Sequence, residues 1–408
     1  MFTAFFSIII ALLFYFTSSN APPFESVALL SAIFASVGGL MIFMLGIILI
    51  LSWSLLQKAE NKISPRIIEV FNKDLLLKAS VIWLFCFALA NYGFVLDLLF
   101  FNLFAKKWIL LVWFVWLGIS LDVLLLLVNR IATYLSPFEV AAKMTKAAHN
   151  SIRESKEGDL CDWIDSLSEL LLRAVERSSL SLCISVNNEL ALIARGFFQS
   201  SKSFSQPEVD AQSRELGISD KASYTLFFLL QRLEMIYERA IEKRFEPLCS
   251  NLVAVLGKIT ISAADYDWSL ISPPLHFLGK WTHLALEHKI SEVGPKAIYV
   301  LLEVGRSIIE EKNIAYSALK EPYQSIIQHM ESITREMFRQ NKKTSIAVLM
   351  QPFKDLKELL KGTTVVNHPD TPGLILILDR ILGEFNELDM IMKTLPPVPE
   401  IPKDLLQE

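Results

Sequence analysis

The sequence predicts an all-α membrane protein in two parts: an N-terminal four-helix transmembrane region, residues 1–135, and a cytoplasmic all-helical domain, residues 136–408. Three observations lead there. Four apolar runs lie between Phe2 and Val128, against the ~20 residues a helix needs to cross the hydrocarbon core. Charge is concentrated beyond them, since only seven of the 39 Lys and Arg and six of the 43 Asp and Glu precede Asn129. After Ser136-Pro137 apolar residues recur at helical spacing, with no two-residue alternation to suggest a strand. A mean hydropathy of +0.41 is high for a soluble chain, and a bilayer-inserted segment accounts for the excess.

The first apolar run, Phe2 to Phe16, is short, and Ser19-Asn20-Ala21 after it offers a small-x-small cleavage site. No basic residue precedes it, so the expectation is a span rather than a cleaved signal. The second run, Val27 to Leu56 (27–56), is long enough to span with tilt, and Gly38-Gly39 and Gly46 give it a close-packing face. The third, Ala79 to Leu103 (79–103), and the fourth, Trp108 to Val128 (108–128), form a hairpin turning at Phe104 to Lys107. Trp53, Trp83, Trp108, Trp113 and Trp116 fall toward span ends, as interfacial rings do.

Orientation follows from the loops. Thr17 to Ser26 carries no Lys or Arg, whereas Gln57 to Lys78 carries Lys58, Lys62, Arg66, Lys73 and Lys78, which places that loop in the cytoplasm. Arg130, Lys143 and Lys146 agree, Lys106 and Lys107 dissent, and both termini are expected in the cytoplasm at a plasma or inner membrane. In the cytoplasmic loop, Ser64 and Pro65 suit a helix start, and Ile67, Ile68, Phe71, Leu75 and Leu76 share one face of an amphipathic helix.

Ten helices are expected in the polar domain, at about 138–155, 159–177, 179–203, 221–244, 247–264, 274–289, 295–312, 315–339, 345–361 and 374–393. They are separated where proline and glycine stop helices, at Gln206-Pro207 with Gly217, Ser272-Pro273-Pro274, Gly294-Pro295 and Asn367 to Gly373. The tail 395–402, with Pro396, Pro397, Pro399 and Pro402, is expected to be extended. A weak repeat runs through Leu256-Gly257-Lys258, Leu278-Gly279-Lys280 and Val304-Gly305-Arg306. Its spacing, one helix per unit, fits a HEAT- or armadillo-like solenoid as well as an irregular bundle. Gly257, Gly279 and Gly305 are the candidate helix-packing residues, because a mid-helix glycine costs about 1 kcal/mol that close packing offsets.

From Asn129 onward the chain carries 32 basic and 37 acidic residues, a balance that argues against nucleic acid. Cys86, Cys161, Cys183 and Cys249 form no C-x-x-C pair and read as reduced thiols. His276, His283, Glu287 and His288 share one helix. His283 and Glu287 are four apart, but the chain contains neither H-E-x-x-H nor Glu-x-x-His, so no metal or other cofactor is expected. No phosphate-binding glycine loop and no G-x-S-x-G elbow occurs. Polar residues inside the spans are Asn91, Asp97, Asn102 and Asp122, functional candidates by virtue of the cost of placing them there. Asp97 and Asp122 differ in depth by roughly 13 Å, which disfavours a shared ion. In the helix 221–244, apolar Phe227, Phe228, Leu230 and Leu233 precede a charged half.

The expected function is a non-enzymatic docking scaffold on the membrane for a protein partner or for self-assembly into an oligomer. The alternative is a channel or transporter subunit with a helical gating domain.

Overall fold

The computed structural model describes residues 27–62, 67–72, 74–100, 107–154, 156–201, 221–310, 319–340, 346–362 and 364–394, and every regular element among them is helical. The first expected span, Asn102, Lys106, the Pro207–Gly217 break and the 395–402 tail lie outside these residues. The chain divides into two compact units, Met1–Met144 and Thr145–Glu408.

In the first unit α1 (Val27–Lys62), the short α2 (Ile67–Asn72), α3 (Leu75–Phe100) and α4 (Lys107–Thr133) follow one another. α3 packs against both α1 and α4. The close approach of α1 and α3 is set by Gly38: a Cβ there would lie 3.0 Å from the Asn91 Cβ and 3.3 Å from the Ala88 carbonyl oxygen. Phe34 of α1 meets Trp113 of α4 edge-to-face at 5.0 Å and Phe94 of α3 at 5.4 Å, so the three helices share one aromatic cluster. Trp113 and Trp116 are therefore packing residues rather than interfacial anchors, and Trp116 lies against Phe87 at 5.4 Å. The amphipathic loop helix is also shorter than its pattern suggests. It stops at Asn72, because the Asp74 side chain accepts hydrogen bonds from the amides of Leu76 and Leu77 and starts α3 there. Leu75 and Leu76 consequently belong to α3 and are exposed.

Helix α5 (Pro137–Arg153) contains the boundary between units. The second unit continues with α6 (Glu157–Glu176), α7 (Leu180–Ser201), α8 (Lys221–Glu242), α9 (Glu246–Tyr266), α10 (Ser272–Glu287), α11 (Val293–Glu310), α12 (Lys320–Gln340), α13 (Ile346–Gly362) and α14 (Thr371–Thr394). Short 3-10 turns at Trp268–Ile271 and Thr364–Asn367 precede α10 and α14.

These helices alternate between two layers. In one, α6, α8, α10, α12 and α14 pack in succession, and in the other α7, α9, α11 and α13 do. Each helix thus packs on the helix two places further along the chain, and on its sequence neighbour in the facing layer.

Two local devices produce this alternation. The first is a turn that ends α6, α8 and α10 in the same way, with Ser178, Arg244 and Lys289 in the left-handed region at φ 54°, 51° and 62°. After α6, the Ser178 amide donates to Val175 and the Ser179 amide to Ala174. Arg244 and Phe245 donate likewise to Ile241 and Ala240, and Lys289 and Ile290 to Leu286 and Ala285. This is a Schellman motif made three times without glycine. The segments that form it are Ala174-Val175-Glu176-Arg177, Ala240-Ile241-Glu242-Lys243 and Ala285-Leu286-Glu287-His288, a repeat of small, aliphatic, acidic and basic residues that the glycine pattern does not reveal. The second device is the glycine contact between helices two apart. A Cβ on Gly257 of α9 would meet Val300 of α11 at 2.3 Å, and one on Gly279 of α10 would meet the His329 ring of α12 at 2.2 Å. At Gly305 of α11 the nearest atom is Leu356 of α13, at 3.4 Å. Gly305 also accepts a hydrogen bond on its carbonyl from the Tyr323 hydroxyl of α12.

Within this unit's core the buried Tyr237 of α8 stacks on Trp281 of α10 with ring centroids 4.7 Å apart, and its hydroxyl donates to the Trp281 carbonyl at 2.9 Å. The layer of even-numbered helices is also laced by ion pairs. Arg232 of α8 pairs with Asp165 of α6 at 2.9 Å, Lys243 with Glu176 at 3.2 Å, and Arg239 with the same Glu176. Lys280 of α10 pairs with Glu234 of α8, and Arg335 of α12 with Glu384 of α14. Water and salt screen such surface pairs, so they serve alignment more than stability.

Two substitutions of opposite sign test these devices. Gly257→Ala drives a methyl into Val300 and is expected to lower the thermal midpoint, at a cost of about 1–3 kcal/mol. Lys289→Gly relieves the left-handed turn and is expected to raise it, by up to about 1 kcal/mol. Differential scanning fluorimetry of the full chain in detergent reads both.

Candidate functional site

Among the described residues four helices are long and apolar enough to cross a membrane by length and composition: Ser31–Gln57, Leu75–Asp97, Leu111–Thr133 and Glu246–Tyr266. Burial separates them. In the first three only 22%, 28% and 22% of the most apolar window is buried within the molecule, against 61% in the fourth. The fourth is α9, whose Leu252, Val253, Leu256 and Ile259 are fully covered by neighbouring helices. Its hydropathy is that of a core helix.

The polar residues of the first unit have different surroundings. Asn91 is wholly buried: its Oδ1 accepts from the Trp113 indole at 2.9 Å, and its Nδ2 donates to the Phe87 carbonyl at 2.8 Å. Its Oδ1 thus ties α3 to α4, while its Nδ2 bonds back onto α3 itself. Asp97 is buried and Asp122 half-buried, and each has a partner of its own. Asn102 lies outside the described residues.

A charged cluster that sequence reading misses sits where α3 begins and α4 ends. Asp74, with its side chain 6% exposed, accepts on Oδ2 from Arg130 Nε at 2.7 Å and from the Tyr134 hydroxyl at 2.7 Å, while Oδ1 caps α3. Lys143 Nζ lies 3.3 Å from the Tyr134 ring centroid and donates to Thr133 Oγ1 at 3.2 Å. Burial acts to raise the Asp74 carboxyl. Hydrogen bonds from Arg130, Tyr134 and the Leu77 amide, with the Arg130 charge, outweigh it and hold the group at about 2. Burial, and then the bond to Asp74, push the Tyr134 phenol well above its ordinary range. Lys143 is lowered by burial and by the nearby Arg130 charge. The only sequence signal for this site is an acid just before an apolar run; its partners, 56 and 60 residues away, carry none.

Of the histidines in 276–288, His276 faces His329 of α12 with ring centroids 6.4 Å apart, and His283 Nε2 lies 2.9 Å from Ser332 Oγ of the same helix. His288 follows the last turn of α10. Among the described residues no three His, Cys, Asp or Glu side chains are grouped to hold a metal. His329 is the perturbed member: burial first, then the charges of His276 and His283, depress it to about 4. The thiols of Cys183 and Cys249 are raised by burial, to about 11 and about 12, and are unreactive packing groups.

The open face between α7 and α9 holds a groove of about 480 Å³, lined by Leu192 and Ile261 with Arg195, Lys258, Asn188, Ser262 and Asp265 among its polar residues. Arg195 and Lys258 are exposed and pair with no carboxylate among the described residues, unlike the cations that lace the opposite layer.

Asp74→Asn keeps the cap but removes the charge that Arg130 faces, and is expected to cost about 2–4 kcal/mol; Asp74→Ala should cost more, both read as thermal midpoints in lipid nanodiscs. His329 is neutral when folded down to about pH 4, whereas the unfolded residue protonates below about 6.5. Stability from this group is complete above pH 6.5 and is lost as pH falls to about 4, by up to about 3 kcal/mol. His329→Leu should flatten that part of the stability profile.

No protein-family model matches the chain, and no curated protein is similar to it. Among solved structures, one described as a circular tandem repeat protein with novel repeat topology and enhanced subunit contact surfaces is similar at 14% identity, over 89% of this chain and 97% of that one. The TM-score is 0.28, too low for a shared arrangement of helices.

Proposed function

We propose that the protein is an integral membrane protein whose second unit is a HEAT- or armadillo-like α-solenoid that docks a protein partner on the cytoplasmic side. The observation that carries this reading is the contrast between the units. The first has helices whose apolar side chains face outward, among them Leu40, Phe43 and Ile50, a surface that water disfavours and lipid accepts. The second alternates its helices in two layers with a turn repeated three times, the form in which a solenoid presents a long continuous surface. Basic residues in the α1–α3 loop favour the cytoplasmic side for that loop and for everything after α4. Asn91 supports anchoring over conduction, since its amide is consumed in helix packing.

Trypsin protection combined with native mass spectrometry tests both halves. The chain should remain in the membrane pellet after alkaline carbonate, and trypsin should digest the second unit in inside-out vesicles but not in right-side-out ones. A complex released in mild detergent should contain a second, different polypeptide in fixed stoichiometry. Release by carbonate would overturn the membrane reading. A closed ring of identical subunits with no other polypeptide would overturn docking and favour the pore.

A further inference from the structure

The α7–α9 groove differs from the opposite layer in its charge balance. There, Arg232, Arg239, Lys243, Lys280 and Arg335 each face a carboxylate on the next helix of the layer. In the groove Arg195 and Lys258 project from facing helices with no acidic partner among the described residues, and Asp265, which also lines it, is already engaged. Two cations left exposed on a face that offers one committed carboxylate are complementary to a negative ligand. The lining excludes a purely ionic one. Leu192 is half exposed and lines the groove with Ile261, apolar surface that a simple anion does not use. Asn188 and Ser262 add side-chain amide and hydroxyl groups within reach of a backbone. At about 480 Å³ the space lies in the range of small-ligand pockets, roughly 300–1,000 Å³, and is too small for a docked helix.

We propose that this groove takes a short extended segment of a partner protein in which acidic and aliphatic residues, two positions apart, share one face, the acids meeting Arg195 and Lys258 and the aliphatic side chain covering Leu192 and Ile261. The inference rests on the docking reading and names the partner chemistry for it. The test uses the full chain in lipid nanodiscs and fluorescence anisotropy of a labelled peptide of about ten residues in which Glu and Leu take turns at every second position with Ser between them, with Gln–Leu and Lys–Leu peptides of the same pattern and length. The Glu–Leu peptide should bind saturably and the Gln–Leu peptide about tenfold more weakly or not at all. Arg195→Glu with Lys258→Glu, at an unchanged thermal midpoint, should abolish Glu–Leu binding and confer Lys–Leu binding. Leu192→Asp should weaken Glu–Leu binding about tenfold. Equal binding of all three peptides, or binding indifferent to charge reversal, would overturn the proposal. So would displacement by millimolar inorganic phosphate together with indifference to Leu192→Asp, which would make the groove a small-anion site. If the native complex of the preceding test survives in the charge-reversed variant, the groove assignment fails while docking elsewhere on the array stands; if no complex exists in the wild type, the docking reading itself has failed.

Discussion

The turn that closes α6, α8 and α10 governs the second unit, because it decides where the next helix goes. A residue in the left-handed region two places after the last helical residue reverses the chain within three residues, so α7, α9 and α11 must begin beside the helices just ended. Repeating one turn repeats one displacement, and layers follow. The glycine contacts then set how closely successive helices of a layer approach, with Gly257 and Gly279 leaving room for Val300 and His329 where any other residue would push the helices apart. Neither device is strong alone. Together they make each helix answer to both its neighbour and the next helix of its own layer.

The first unit obeys a different constraint. With Leu, Ile and Phe side chains facing outward, its helices meet through close packing and through buried polar groups paired within the bundle. Gly38 permits the approach, Asn91 and Trp113 hold it, and Asp74 with Arg130 and Tyr134 closes the end where charge returns. The Asp74 carboxylate serves twice, capping one helix and fastening the next, which is why its charge is held so firmly. The two halves of the molecule thus use ionic groups differently. In the second unit the ion pairs between successive helices lie at the surface and align, whereas in the first the nearly buried Asp74 carboxylate fastens two helices.

Legibility in the sequence followed the range of the interactions involved. The helices of the polar domain fall close to where periodicity and proline place them, because helix limits are set by local chemistry: α9 begins beside Pro247 and α10 beside Pro273 and Pro274. The loop helix ended early because Asp74, lying between Phe71 and Leu75 of the expected face, caps α3. The glycines were visible as a pattern, but their partners Val300, His329 and Leu356 lie about 43–51 residues away, a separation that no spacing rule links. The repeated turn escaped notice for the opposite reason. It is built from Ser178, Arg244 and Lys289, residue types that do not announce a left-handed conformation as glycine does. The His276 segment attracted attention for its density of imidazoles, yet the perturbed histidine is His329 on another helix, brought there by packing over Gly279.

By itself the sequence determined that the chain is helical, that its N-terminal third is apolar and its remainder charged, and where most helices start and stop. Those properties are written in runs, periods and breakers, each complete within a few turns of chain. Only the tertiary structure decided that α9, apolar enough to cross a membrane, is a core helix, that Asn91 is occupied by Trp113, that Asp74 binds Arg130 and Tyr134, and that Arg195 and Lys258 share one groove and pair with no carboxylate among the described residues. Burial and charge pairing depend on which distant side chains arrive at the same place, and that is a property of the packed helices together rather than of any one of them.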